Sequence, residues 1–284
     1  MTESDQPGPP GHGPPEHGPP EHGEPPSEPH PSSALPPHFR HGVDPWQLWI
    51  RNAELLAAKS REFPVPAWMR PTRGEHRWPV SVSIIAAIVL QVLLPPRLTT
   101  PLPPALLPSL EGALLIGLAI ANPVRIEKRG PTVRMLSIGL IFLISVANLT
   151  SGVLLIRAIL EGKAGSSAGP LLASGASIWA TNVIAFALLY WEFDRGGPVD
   201  RAQGTSRLPD LLFPQMTAPH LAPPEWEPRF VDYLYLSFTN ATAFSPTDVM
   251  PLSRWAKLTM LVQSALSLAI AALVIARAVN ILRT

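Results

Sequence analysis

From Val80 onward the chain alternates long apolar runs with short connections rich in proline and arginine. Four runs, Val80–Leu94, Ala105–Ala121, Val133–Leu160 and Pro170–Trp191, precede a polar, proline-punctuated stretch, and a fifth follows it at Trp255–Leu282. A hydrocarbon core takes roughly 20 helical residues to cross, so each run predicts a spanning helix. The first needs Trp78–Pro79 or Pro95 to reach full length, the second is short, and the third is long enough to tilt. Tyr190, Trp191 and Phe193 place an aromatic belt at the end of the fourth.

Phe230–Phe244 breaks this pattern, being too polar for a lipid-facing helix and too apolar for a loop. Such a segment is expected to be either re-entrant or a short helix shielded by its neighbours. The fold class is therefore an all-α integral membrane protein, five spanning helices plus one pore-loop-like or short sixth helix. Residues 80–195 hold the first four spans, 196–229 a proline-rich connection, and 230–284 the mixed segment with the last span.

Lys and Arg are unevenly shared among the connections. Arg51, Lys59, Arg61, Arg70, Arg73 and Arg77 precede the first span; Arg125, Lys128, Arg129 and Arg134 follow the second; Arg195, Arg201 and Arg207 follow the fourth. The opposite connections hold only Arg97 and Lys163, with Arg157 near a helix end. This bias predicts a cytoplasmic N-terminus in a cell inner membrane or plasma membrane. Five spans put the C-terminus outside and make the mixed segment re-entrant from the cytoplasm. If the segment instead crosses, both termini are cytoplasmic, and this six-element version is the expectation.

The first 43 residues are of another kind. Thirteen of the 36 prolines lie in the first 37 positions, GPPEH repeats at Gly13–His17 and Gly18–His22, and six of the eight His fall here. Proline removes amide donors and fixes φ, so a disordered tail with polyproline II character is expected. Its histidines have weak metal-binding capacity at most. In residues 44–79, Asp44–Phe63 has an N-cap Asp, a first-turn Pro and one apolar face carrying Trp46 and Trp49. It fits a helix on the membrane surface and one packed on the cytosolic ends of the spans equally well, and a juxtamembrane linker follows it.

Candidate chemistry centres on TNATAFSPTD, Thr239 to Asp248. YLYLSF precedes it, Pro251 follows three residues after Asp248, and ALVIARAV closes the chain's last helix at Ala272–Val279. Over about fifty residues this order resembles the pore module of the two-transmembrane potassium-channel family. There a short pore helix runs into a threonine-rich filter ending in aspartate, and then into an inner helix. The resemblance implies that Thr239, Asn240, Thr242, Ser245, Thr247 and Asp248 form a pore-like segment and that the protein is a homo-oligomer conducting ions. The chain as a whole also resembles a group of bacterial multi-pass membrane proteins, on YWEFDRGGP and FTNATAFSPTD, which implies a membrane location and no particular activity.

Within that frame the filter glycines are replaced by Ser245 and Thr247, and the bracing tyrosine by Pro246. Stacked carbonyl rings need the dihedral freedom of glycine, so potassium selectivity is not expected. The alternative is a non-conducting structural or interaction protein whose polar residues make interhelical hydrogen bonds. Asn148, Asn182 and Gln263, mid-span amides, fit that role. Glu111 and Arg157 fall in one leaflet and are candidates for an intramembrane ion pair. In YWEFDRGGP a capping and anchoring role is expected, and Asp232 is expected to pair with Arg229 or Arg254.

No P-loop, Rossmann, HExxH or GxSxG pattern occurs, and cysteine is absent. Thiol catalysis and thiolate metal sites are thereby excluded. An enzyme, a metal, a cofactor and a nucleic-acid partner are not expected; the lipid bilayer is.

Overall fold

The computed structural model describes residues 65–100, 102–127, 130–205, 208–242 and 248–283. The expected tail, the helix at 44–63 and the candidates Ser245 and Thr247 lie outside the described residues. The rest is mostly helical: α1 (Trp78–Val92), α2 (Leu106–Ala121), α3 (Pro131–Leu160), α4 (Ala168–Phe193), α5 (Phe230–Thr242) and α6 (Arg254–Arg283). α3, α4 and α6 are long and apolar enough to cross a membrane. α1 and α2, of 15 and 16 residues, are each about 23 Å long, against a core of about 30 Å.

Prolines punctuate these helices. Pro79 and Pro131 occupy first-turn positions in α1 and α3, where an amide donor has no intrahelical partner anyway. α2 starts at Leu106 and takes Pro108 into its own first turn. α4 ends where Asp194 turns extended, Arg195 adopts φ 54° and Gly196 and Gly197 take φ 83° and 102°. The two glycines accept that conformation at little cost; Arg195 does not, and is held there by the contacts described below.

α4 is the central helix, packed against α1, α3, α5 and α6, while α2 packs on α1 and α3. The core has two clusters, one at each end of the bundle. The first gathers Ile84, Leu140, Leu188, Trp191, Phe230 and Tyr233, at the end where α1 and α3 begin and α4 finishes. The second gathers Leu98, Leu155, Leu171, Ile178, Val274 and Ala278 at the opposite end. α6 carries exposed Leu258, Leu261, Val262, Leu268 and Ile275 along its length. An apolar surface of that extent belongs against lipid or protein, which fits a membrane location.

The course of α5 differs from the six-element expectation. It starts at the first end, beside Trp191, and its Ser237 reaches Val183, deeper along α4. Thirteen residues cover only about 20 Å. By Met250–Pro251 the chain is back at the first end, paired antiparallel with Leu211–Leu212, in the register Leu211 to Pro251 and Leu212 to Met250. Leu252 N then donates to Asp210 O, and Trp255 of α6 packs beside Phe193 of α4. α6 consequently runs antiparallel to α4, with Tyr190 beside Gln263 and Asn182 beside Ser267. The short helix does not cross, and Val65 and Arg283 lie at opposite ends. The two-residue ladder and the contacts of Asp210 are what return the chain.

Candidate functional site

The pore-like residues sit at the contact of α4, α5 and α6. Asn240 Nδ2 donates to Met260 O (3.0 Å) and Gln263 Oε1 (2.8 Å), and Ser264 Oγ donates to Asn240 O and Oδ1. Gln263, fully buried, also accepts from Tyr190 OH (2.7 Å) and donates to Ser237 O and Oγ. Ser237 Oγ in turn donates to Val183 O at 2.6 Å. Every polar atom of the Gln263 side chain is thus used, which is what makes a buried amide tolerable. One turn deeper, Asn182 Nδ2 donates to Ser267 Oγ at 2.9 Å.

Thr239 and Thr242 act locally. Thr239 Oγ1 donates to Tyr235 O and Leu236 O, and Thr242 Oγ1 to Thr239 O, all within α5. Both threonines are half-buried, Asn240 is buried and Asp248 is exposed. The structure therefore brings Asn240 into the network, keeps the hydroxyls of Thr239 and Thr242 within α5, and leaves Asp248 exposed.

YWEFDRGGP lies where α4 meets the connection that follows it. Asp194, fully buried, accepts from Asp210 N and Leu211 N through Oδ1 and from Tyr233 OH through Oδ2. Asp210 accepts from Arg195 N and, through Oδ1, from Trp255 Nε1. Arg201 Nη1 donates to Trp191 O and Asp194 O, and the guanidinium lies over the Tyr233 ring at 5.0 Å. Across the junction, Glu75 accepts from Trp191 Nε1 (2.8 Å) and Phe230 N (2.6 Å). Burial pushes the Glu75 carboxyl up from its ordinary 4.5, opposed by those two donors and by Arg201 and Arg229. Asp232 caps its own helix by accepting from Arg229 N at 2.8 Å, the reach-back of a capping box.

The pairing of Glu111 with Arg157 is not formed. Arg157 is exposed, with Nε 3.9 Å from Glu161 one turn on. Glu111 is fully buried, and neither carboxylate oxygen has a hydrogen-bond partner. Its polar neighbour is Gln91 of α1, whose Nε2 is likewise unpaired. Glu111 faces into the bundle and Arg157 out of it, so proximity in depth does not become contact.

A cavity of about 490 Å³ opens between α1, α2, α3 and α4 at the first end. Val80, Ile84, Leu118, Val133, Leu140 and Leu188 make its body, and Arg77, Arg134, Glu192 and Asp200 contribute charge. Arg134 Nη1 donates to Gly196 O (2.8 Å) and lies 3.6 Å from Asp200, and Ser137 Oγ donates to Glu192 Oε2 (2.8 Å). Arg77 is different. It is 7% exposed, its Nε is buried without a hydrogen-bond partner, and it forms no ion pair among the described residues. Burial lowers its guanidinium from the ordinary value.

Sequence reasoning missed Glu75, Asp210 and Arg201. Their only signal was a carboxylate in a cation-rich linker and an Asp–Arg pair in proline-rich connections, and nothing in that pattern names a partner 116 residues away. Among the described residues no group of three His, Asp or Glu is placed to hold a metal ion. Comparison with protein-family models, with curated proteins and with solved structures finds no match to this chain.

Proposed function

We propose that the chain is an integral membrane protein of five spanning helices whose elements α4, α5 and α6 form a channel-like pore module. The observation that carries this reading is the course of the chain from Phe230 to Arg254. A short helix enters from one end of the bundle, the chain is back at that end by Met250, and a long helix starts there. Thr239, Asn240, Thr242, Ser245, Thr247 and Asp248 form the pore-like segment, with Asn240 anchoring it to α6.

A pore of this type forms on a symmetry axis, so the working unit is a homo-oligomer. The exposed apolar face of α6 supports that assembly. With serine, proline and threonine at 245–247 the module selects differently from a potassium filter. Arg70, Arg73, Arg77, Arg125, Arg134, Arg195, Arg201, Arg229, Arg254 and Lys257 belong to the end where α5 enters, and Arg97, Arg157, Lys163, Arg277 and Arg283 to the other. That bias favours a cytoplasmic N-terminus in an inner or plasma membrane, with the module entering from the cytoplasm. No catalytic role is assigned.

A second reading has its own observation. The saturated bonding of Gln263, Asn240 and Ser237 within one chain favours a non-conducting structural membrane protein, the same polar residues serving as an interhelical lock. Ion flux from the purified full-length protein in liposomes separates the two. Conduction lost in Asn240→Leu, from an oligomeric particle, supports the pore module. A monomeric particle with vesicles as tight as protein-free ones assigns the lock.

A further inference from the structure

We propose that the cavity between α1, α2, α3 and α4 holds one anionic lipid, its acyl chain in the apolar body and its headgroup on Arg77. The volume of about 490 Å³ lies within the range of small-ligand sites, roughly 300–1,000 Å³. Its walls are aliphatic over most of their length, which suits a hydrocarbon chain and offers an aqueous anion nothing.

Among the described residues, the charges at the rim are matched except one. Arg134 has Gly196 O and Asp200, and Glu192 has the Ser137 hydroxyl and the nearby charge of Arg201. Among the described residues, Arg77 has neither carboxylate nor carbonyl on its side chain, and its Nε is buried without a partner. Arg77 as a residue is more than nine-tenths buried; leaving the Nε donor unmatched is costly, and a phosphate or carboxylate headgroup matches the planar fork of the guanidinium. Its depth is also right. Arg77 directly precedes α1, and Trp78 beside it is 66% exposed, the position of an interfacial aromatic. Glu192 of α4 also lines the cavity and disfavours an anion beside it.

The test uses full-length protein in mixed phosphatidylglycerol and phosphatidylcholine of identical chains, delipidated in detergent, with retained lipid counted by mass spectrometry. One phosphatidylglycerol per chain is expected to persist. Arg77→Gln should lower its retention roughly tenfold, the loss of a hydrogen bond to a charged group. Arg77→Lys, which keeps the charge, should retain the preference. Val133→Trp, which fills the body, should release the lipid with Arg77 intact. Inorganic phosphate should not displace it. Equal retention of the two lipids, unchanged retention in Arg77→Gln, or displacement by inorganic phosphate each overturns the proposal, the last by assigning an aqueous anion. The wild-type lipid preference alone decides if a variant does not fold.

Discussion

Tyr233 donates its hydroxyl hydrogen to Asp194 Oδ2 at 2.6 Å, joining the first turn of α5 to the end of α4. Both residues are fully buried. The other carboxylate oxygen accepts from Asp210 N and Leu211 N, so one side chain holds α4, the strand pair and the short helix together. Tyr233→Phe is expected to cost about 1–3 kcal/mol, because it strips a donor from a buried carboxylate. Asp194→Ala should cost more, since it orphans two backbone amides as well. Thermal unfolding of the purified variants measures both, and the double variant should lose less than the sum.

The contact of α4 with α6 depends on Gly175. A Cβ there would lie 2.8 Å from Val274 Cγ1, closer than real side chains approach. Gly175→Val is therefore expected to lower the unfolding temperature, by about 1–3 kcal/mol of overpacking. Val274→Ala in the same chain should restore most of the loss. Failure of that rescue would place the cost elsewhere than at this helix crossing.

Glu75 makes the junction sensitive to pH. A carboxyl whose folded-state value lies above its unfolded one takes up a proton on folding. Its contribution is fully present below the ordinary 4.5 and is lost as pH rises through the raised value. Stability should therefore fall with rising pH across that window. In Glu75→Gln the slope should flatten, while overall stability drops because an amide nitrogen then faces the Trp191 or Phe230 donor. Unfolding temperatures at a series of pH values read both effects.

Glu111 should behave in the opposite way to the anchoring carboxylates. It is fully buried with both oxygens unpartnered, an arrangement that costs free energy and returns none through hydrogen bonds. Glu111→Gln is expected to raise the unfolding temperature. A fall would mean that the carboxylate has a partner, either Gln91 of α1 or one the chain itself does not supply.

What the sequence disclosed follows from which constraints are local. Apolar runs of spanning length are local, so the helices were predicted within a few residues: Val80–Leu94 appears as Trp78–Val92 and Trp255–Leu282 as Arg254–Arg283. The interhelical role of Gln263 and Asn182 was legible because a mid-span amide has few alternatives. The course of α5 was not. Charge bias counts residues per connection and does not register the ladder of Leu211–Leu212 with Met250–Pro251, whose strands are too short to carry a pattern. Glu111 and Arg157 share a leaflet, and depth along a helix says nothing about the face a side chain takes. The Arg77 cavity is assembled from four helices, each contributing residues ordinary in isolation.

The central claim is that α5 enters and the chain returns at one end of the bundle. The chain has no cysteine, so single cysteines at Glu225, Asp248 and Glu161, all exposed, can be labelled in oriented sealed vesicles with a thiol reagent that does not cross the membrane. The account predicts that Glu225→Cys and Asp248→Cys react from the same side and Glu161→Cys from the other. Reaction of Asp248→Cys from the side of Glu161→Cys would contradict it, because the short helix would then cross.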